Sequence, residues 1–427
     1  MERRTKIVAT IGPATRDPDV LARLVEAGMD VARLNFSHGT HDEHAETARL
    51  VREASSRAGR PVAILQDLPG PKMRIGPLAG DKAMLRGGDS VTFTTDVEGT
   101  QTGTADRMTV SWPGLASALE PGESVYLADG SVRLRVTNVR AGDGEFDCDV
   151  ELGGVVASRQ GLNIPGGAEE LPAVPEEDLV HLAAGMAIGV DLVALSFVRR
   201  PEDVLFVREH TRIPLIAKIE KPQAVARAED VVRVSDGIMV ARGDLGIELP
   251  IQEVPLVQKR LLRLSGEHAR ISITATQMLD SMIRSARPTR AEVADVANAI
   301  LDGTDAVMLS QETAVGAFPV EAVAMMDSIA RTTEREAPYS RWNEHRVRRT
   351  GRDPGYTIAH SVVEAARELE LDAIVVPTLS GRSARLVSAH RPTVPILALS
   401  PGKETVRRCG LMWGVRCGSS SRASASR

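Results

Sequence analysis

Cysteine is scarce in this chain. Three stand in 427 residues, Cys148, Cys409 and Cys417, far apart and odd in number. They form neither a disulfide framework nor a metal-ligand spacing, which excludes a disulfide-stapled scaffold and fits a reducing cytoplasm. Long apolar runs are missing as well. No window approaches about 18 uninterrupted apolar residues, the length a membrane helix needs, so no membrane span is expected. The start, Met1-Glu2-Arg3-Arg4, is basic, but the apolar stretch behind it breaks at Gly12-Pro13, which does not fit a signal peptide. Neither sign of charge dominates. A formal net charge of −5 argues against nucleic acid as the main partner and still leaves room for a local cationic pocket.

What is present has the balance of a soluble globular protein, 43 % hydrophobic and 26 % charged, on a length that calls for two or three domains. Short β-rich runs alternate with amphipathic segments. Strands are expected at Lys6–Ile11, Val31–Phe36, Val62–Gln66, Leu192–Ser196, Leu215–Ile219, Gly237–Val240, Ile271–Ala275 and Ala306–Leu309. Helical patterns such as Val20–Ala27, Glu43–Ala58, Pro201–His210 and Thr289–Leu301 lie between most of them. Eight such runs fit an α/β fold of the (β/α)8 TIM-barrel type, with an open doubly wound sheet as the alternative. Polar groups gather just after the strands, at Asn35, Asp67, Glu220, Asp244, Thr276 and Ser310, where a barrel keeps its active site.

Between about Lys72 and Asn163 the alternation stops. Gly, Asp, Thr and Val dominate, with strand-like pieces at Ser90–Thr94, Ser124–Leu127, Val132–Val139 and Phe146–Val150, so an inserted small β domain is expected. After about Arg341 a basic link leads to a further α/β stretch, with a helix at Ile358–Leu369, a strand at Ala373–Pro377, a helix at Ser383–Ala389 and a strand at Ile396–Leu399. The expected division is residues 1–71 with 163–340 as the barrel, 72–162 as the β insert, 341–415 as a C-terminal α/β domain, and 416–427 as a disordered Ser/Arg tail.

The most informative chemistry is Lys218-Ile219-Glu220 at the end of one strand and Gly243-Asp244-Leu245-Gly246 at the end of the next. A period of two puts Lys218 and Glu220 on one face. Alone, such charges are usually a solvated rim, and Gly-Asp is usually a turn. Together on successive strands they suit a divalent metal beside an anionic substrate, with Glu220 and Asp244 as hard oxygen ligands and Lys218 neutralising phosphoryl charge. Val31 to Gly39 alternates so that Arg33, Asn35 and Ser37 share a face. An arginine in a barrel mouth needs an anion, either a phosphate or a structural aspartate. Gln66 to Arg74 leaves its strand through a Pro/Gly turn and presents Lys72 and Arg74 at the border of the insert, either to polyphosphate or to solvent. Thr276 ends a strand, either as a hydrogen-bond donor to substrate or as a self-satisfied threonine. Thr289 and Glu292 have capping-box spacing, a structural reading.

At these residues the chain resembles the pyruvate kinases. Thr10–Ala14, Arg33–Gly39, Asp67–Arg74, Ala194–Arg199, Lys218–Pro222, Ser235–Glu248, Thr274–Met278, Arg287–Asn298 and Asp302–Leu309 look like that family's motif set, in order, from about Thr5 to Val415. The resemblance implies that the insert is a small β-barrel lid and that the C-terminal α/β domain is a regulatory one, incomplete here; it implies phosphoryl transfer from phosphoenolpyruvate to ADP, giving pyruvate and ATP, with Mg2+ or Mn2+ as cofactor, in a homotetramer. It implies that Lys218 stabilises the transition state and that Glu220 and Asp244 hold the divalent metal. Gly243, Asp244 and Thr276 would hold the substrate carboxylate, Arg33 its phosphate, and Asn35, Phe36, Ser37, His38 and Arg74 the nucleotide side.

Four departures from the family pattern carry expectations. Asn35, Ser37, Asp67 and the Leu68 carbonyl stand where members hold K+, and Lys72 replaces a glutamate of K+-dependent members, so activity without K+ is expected. Gln160 stands for a lid lysine that contacts nucleotide phosphates; either Arg159 compensates or ADP binds less tightly. Gln311 stands for a glycine, so backbone strain is expected there. After Val415 the family pattern stops, which implies an exposed sheet edge, a weakened C-domain interface between subunits and impaired effector control at the phosphate-loop-like Thr378–Ser383. A metal-dependent aldolase acting on pyruvate enolate, or a non-catalytic remnant, are the other readings.

Overall fold

Parallel strands covered on both faces read as unbroken apolar runs, and each of the eight expected runs forms a strand. The computed structural model describes residues 3–71, 73–96, 100–165, 172–337 and 353–419. β1 (Lys6–Thr10), β2 (Val31–Asn35) and β3 (Ala63–Asp67) come first. The chain then leaves for the insert, β4 (Lys82–Leu85), β5 (Ser90–Thr95), β6 (Arg107–Val110), β7 (Ser124–Leu127), β8 (Val132–Arg140), β9 (Glu145–Leu152), β10 (Gly154–Ala157) and β11 (Leu162–Asn163). It returns through β12 (Leu192–Val198), β13 (Leu215–Ile219), β14 (Gly237–Ala241), β15 (Ile271–Ala275) and β16 (Ala306–Leu309). The eight core strands close in the order β1-β16-β15-β14-β13-β12-β3-β2, all parallel, so the open doubly wound sheet is excluded. Every residue of β1, β3, β14, β15 and β16 is buried.

The connecting helices start where their caps allow. Asp17 accepts from the Asp19 and Val20 amides ahead of helix Pro18–Ala27. Thr40 with Glu43, and Thr289 with Glu292, form reciprocal capping boxes, the latter as its spacing requires. The expected β insert is built as a six-stranded sheet, β11-β7-β8-β9-β5-β6, and a ribbon, β10-β4, around one core that includes Phe93, Phe146, Leu134 and Val156.

The C-terminal unit carries helix Pro354–Glu368, β17 (Ile374–Pro377), helix Arg382–Ala389, β18 (Ile396–Ser400) and β19 (Val415–Ser419), with the strands parallel in chain order. β19 corrects one expectation. Arg416 to Ser419 were assigned to a disordered tail, yet all four pair with β18, from Leu397↔Arg416 to Ser400↔Ser419. The run Val415-Arg416-Cys417-Gly418-Ser419 has only one large apolar residue, so its composition hides a strand whose position is set by β18. Residues 420–427 and the expected link at 341–352 lie outside the described residues.

This unit packs under the end of the barrel where the strands begin. Lys6 donates to the Val415 carbonyl at 2.8 Å, Arg407 pairs with buried Asp191 at 2.7 Å, and Arg391, fully buried, pairs with Asp305 at 2.9 Å. The Arg391 guanidinium also lies 4.5 Å from the Trp413 ring centre. The opposite end of the barrel, where the strands finish, is left for the insert.

Candidate active site

Strand register sets the polar groups at one level. Asn35 pairs with Asp67 and Asp67 with Ala194, two residues before Ser196, while Lys218 pairs with Met239 on β14. The Lys218 ammonium stands at the centre. It lies 2.8 Å from Glu220, 3.2 Å from Asp67 and 2.6 Å from the Ser196 hydroxyl. Burial works against that charge, but the Asp67, Glu220 and Asp244 carboxylates outweigh it and raise the Lys218 pKa. Lys218 is therefore a permanent cation at the strand ends.

Glu220 uses its oxygens in two directions, one toward Lys218 and the other accepting from the Phe197 amide at 2.7 Å. Phe197 has φ +55°, an uncommon backbone for a bulky residue, and this hydrogen bond helps hold it. Burial, with the like charge of Asp244, pushes the Glu220 carboxyl up despite Lys218. A carboxylate held beside a second one in a buried site favours a cation near it. Among the described residues no three His, Cys, Asp or Glu side chains converge on one point. The protein thus offers one or two carboxylates and leaves the remaining positions to other ligands, the manner in which Mg2+ is commonly bound beside phosphates.

Asp244 stands in the first turn of helix Arg242–Glu248. Its neighbour Gly243 donates its amide to the Thr276 hydroxyl at 2.7 Å, and that hydroxyl donates to the Ala275 carbonyl at 2.6 Å. Thr276 has φ +70° and Gln277 φ +53°. Arg242 reaches back to the Ala275 and Thr276 carbonyls at 3.2 and 2.8 Å and is anchored by Asp295 at 2.7 Å. The strained turn therefore holds Thr276 against the start of that helix.

Arg33 resolves toward the structural alternative in this state. Its Nε pairs with Asp67 at 2.7 Å and its Nη1 donates to the Thr10 hydroxyl at 3.0 Å. Burial raises the Asp67 carboxyl, but Lys218 and Arg33 together hold it below the usual range. Asn35 accepts from the Ser37 amide at 3.2 Å, and the Leu68 carbonyl accepts from Ser196 at 2.7 Å. Phe36 turns inward: it is 3 % exposed and stacks on His44 at 4.0 Å, so its side chain packs the barrel rather than facing the mouth. The His38 carbonyl meets the His44 ring at 3.0 Å. Arg74 joins the base of the insert, donating to the Arg159 carbonyl at 3.1 Å. Gln160 accepts from the Ala157 amide at 2.9 Å. Lys72 lies outside the described residues. Gln311 opens helix Gln311–Ala314 without a positive φ, so the expected strain is absent there.

Sequence reasoning passed over three supports. Ser196 bridges Lys218 and Leu68. Glu312, 1 % exposed, accepts from the Leu279 and Ser310 amides at 3.1 and 2.7 Å and so ties the loops after β15 and β16 together. Asp178, in the first turn of helix Glu176–Ile188, accepts from the Gly70 amide at 3.0 Å. Gly70 (φ +70°) tolerates no side chain, because a Cβ would sit 2.6 Å from the Phe197 ring. Ser196 and Glu312 lay inside stretches matched to the family and Asp178 did not; Glu312 and Asp178 act through backbone amides that no local pattern reveals.

Asp178 supplies a pH test. Burial pushes its carboxyl from 3.8 up to about 7 despite the Gly70 amide, with Glu177 and Asp67 adding to the shift. A carboxyl whose pKa is raised on folding contributes stability that is complete below the unfolded value and is lost as pH rises through the folded one. Asp178→Asn should therefore remove part of the decline in urea midpoint between pH 3.8 and about 7. Parallel midpoint-against-pH curves for the two proteins would contradict this.

The constellation is that of a metal-assisted phosphotransferase on a (β/α)8 barrel. The family profiles described as "Pyruvate kinase, barrel domain" and "Pyruvate kinase, alpha/beta domain" match residues 2–323 and 356–426. A pyruvate kinase of Geobacillus stearothermophilus is 44 % identical over 97 % of this chain and 71 % of its own length. One of Corynebacterium efficiens is 44 % identical over 97 % of this chain and 87 % of its own. The crystal structure of a pyruvate kinase from Cryptosporidium parvum superposes with a TM-score of 0.91 at 35 % identity, covering 98 % of this chain and 87 % of that one. The chain belongs to the pyruvate kinase family, whose members transfer the phosphoryl group of phosphoenolpyruvate to ADP, giving pyruvate and ATP in the last step of glycolysis. The family's phosphoryl transfer needs a divalent metal. No helix among the described residues is long and apolar enough to cross a membrane.

Proposed function

We propose that Lys218, Glu220, Asp244, Thr276 and Arg33 carry this transfer, and that Mg2+ or Mn2+ is the metal. The observation that supports it most is the Lys218 ammonium 2.8 Å from Glu220, with the Asp244 carboxylate close enough to favour the protonated form of both. Glu220 and Asp244 are the residues that would hold the ion, which supplies a positive charge beside the phosphoryl and enolate oxygens when bound. Lys218 neutralises charge as the phosphoryl group moves and then meets the enolate oxygen. The Gly243 and Asp244 amides, with Thr276, receive the substrate carboxylate at a helix start. Arg33 exchanges part of its contact with Asp67 for the phosphate, its fork being suited to that geometry. Asn35, Ser37, His38 and Arg74 border the nucleotide side. Phe36 serves there by shaping the backbone, since its ring packs on His44.

Asn35, Ser37, Asp67 and the Leu68 carbonyl are the residues of the K+-like position, and the lysine at sequence position 72, in place of a glutamate, supports activity without K+. The assay that tests both readings is pyruvate release from phosphoenolpyruvate and ADP, with K+ replaced by tetramethylammonium. Equal rates in both salts are expected; pyruvate formation that requires K+ removes the Lys72 reading, and none in either salt removes the site assignment. A cytoplasmic homotetramer is the assembly the family implies, and sedimentation of the purified chain measures it.

A further inference from the structure

The sequence sets Cys409 and Cys417 eight positions apart, with no spacing that marks them as a pair. Folding brings them together. Cys409 opens the short helical turn Cys409–Leu411 and is fully buried, while Cys417 lies on β19, half-buried, packed against the same cluster. The turn and the strand that carry them are in contact, and each thiol lies close enough to the other to shift its titration. The third cysteine, Cys148, is buried in the core of the insert among Phe93, Phe146 and Val136.

We propose that Cys409 and Cys417 form an oxidisable dithiol, a modification site in which Cys417 is attacked first by a peroxide and Cys409 resolves it to a disulfide. Access and activation differ in the required sense. Cys417 is the more exposed of the two, and the neighbouring Cys409 thiol lowers its pKa and favours thiolate. Cys409 is pushed up, first by the neighbouring Cys417 and then by burial, so it remains a thiol until its partner has reacted. Burial likewise pushes Cys148 far above the usual thiol range and leaves it inert. A low-pKa, reachable cysteine beside a resolving one is the arrangement that oxidises reversibly.

The step balances. The Cys417 thiolate attacks one peroxide oxygen; an S–O bond forms, the O–O bond breaks, and the leaving hydroxide takes a proton to become water. Cys409 then attacks the sulfenic sulfur; an S–S bond forms, the S–O bond breaks, and the departing hydroxide takes the Cys409 proton. Two thiols are oxidised, one peroxide is reduced, and two waters leave. The bond would tie β19, the edge strand, to the turn beneath Gly381, where the Cys409 sulfur lies 3.7 Å from the position of a Cβ.

The test is hydrogen peroxide on the full chain, followed by thiol titration in denaturant and mass spectrometry without reductant. Thiols should fall from three to one, with a peptide linking Cys409 to Cys417 and complete recovery in dithiothreitol. Cys409→Ala should stop at a sulfenic or more oxidised Cys417, and Cys417→Ser should keep Cys409 as a thiol. Three thiols after treatment, a disulfide involving Cys148, or Cys417 driven to the sulfinic acid in the unaltered chain would each overturn the proposal.

Discussion

Lys218→Met is expected to lower kcat by about a thousandfold, roughly 4 kcal/mol of transition-state stabilisation, with a much smaller change in KM for phosphoenolpyruvate. The ammonium is 12 % exposed at its side chain and lies within 3.2 Å of two carboxylates, so it acts where water screens little. The same substitution leaves Asp67 and Glu220 as buried charges with one fewer partner. Removing one member of a buried pair costs on the order of 3–5 kcal/mol, so the variant's unfolding temperature should fall as well. The two effects separate by experiment. Mn2+ should restore much of the thermal stability, because it supplies a charge near Glu220, and little of kcat. A Lys218→Met enzyme that turns over within tenfold of the original would remove Lys218 from the chemistry.

The second large effect belongs to Glu220→Gln. Glutamine keeps the shape and an oxygen to accept from the Phe197 amide, so the strained turn at Phe197 survives. The charge disappears, and with it one of two carboxylates. The half-saturating Mn2+ concentration should rise about a hundredfold, on the scale of altered metal-site contacts, with a fall in kcat that saturating metal does not fully repair. Asp244→Asn should act in the same direction, and the pair of changes should cost less than the sum, since both remove one shared site. Mn2+ binding followed by electron paramagnetic resonance, with no substrate present, measures the effect independently of turnover. Unchanged Mn2+ affinity in both variants would show that the carboxylates serve only Lys218.

Much of this was legible from residue order because burial and chemistry coincide. Runs such as Leu215–Ala217 and Gly237–Ala241 are apolar, and the charged groups follow directly at their ends, so strand and site were visible in one pattern. The insert was less legible. Lys82–Leu85, Arg107–Val110, Gly154–Ala157 and Leu162–Asn163 are short and mixed in polarity, and they become strands only through partners far along the chain. The same holds for β19, whose polar residues pair only because β18 presents an edge. Phe36 shows the opposite limit: a residue inside a recognised motif turned its ring away from the mouth because His44 lies on the next helix to receive it.

The bond from the Phe197 amide to Glu220 also gives the site a built-in reporter. An amide held at 2.7 Å by a buried carboxylate exchanges its proton with solvent only when that carboxylate lets go. Hydrogen exchange at this one backbone position thus monitors whether Glu220 is committed to the loop, without a substrate, a coupled enzyme or a label.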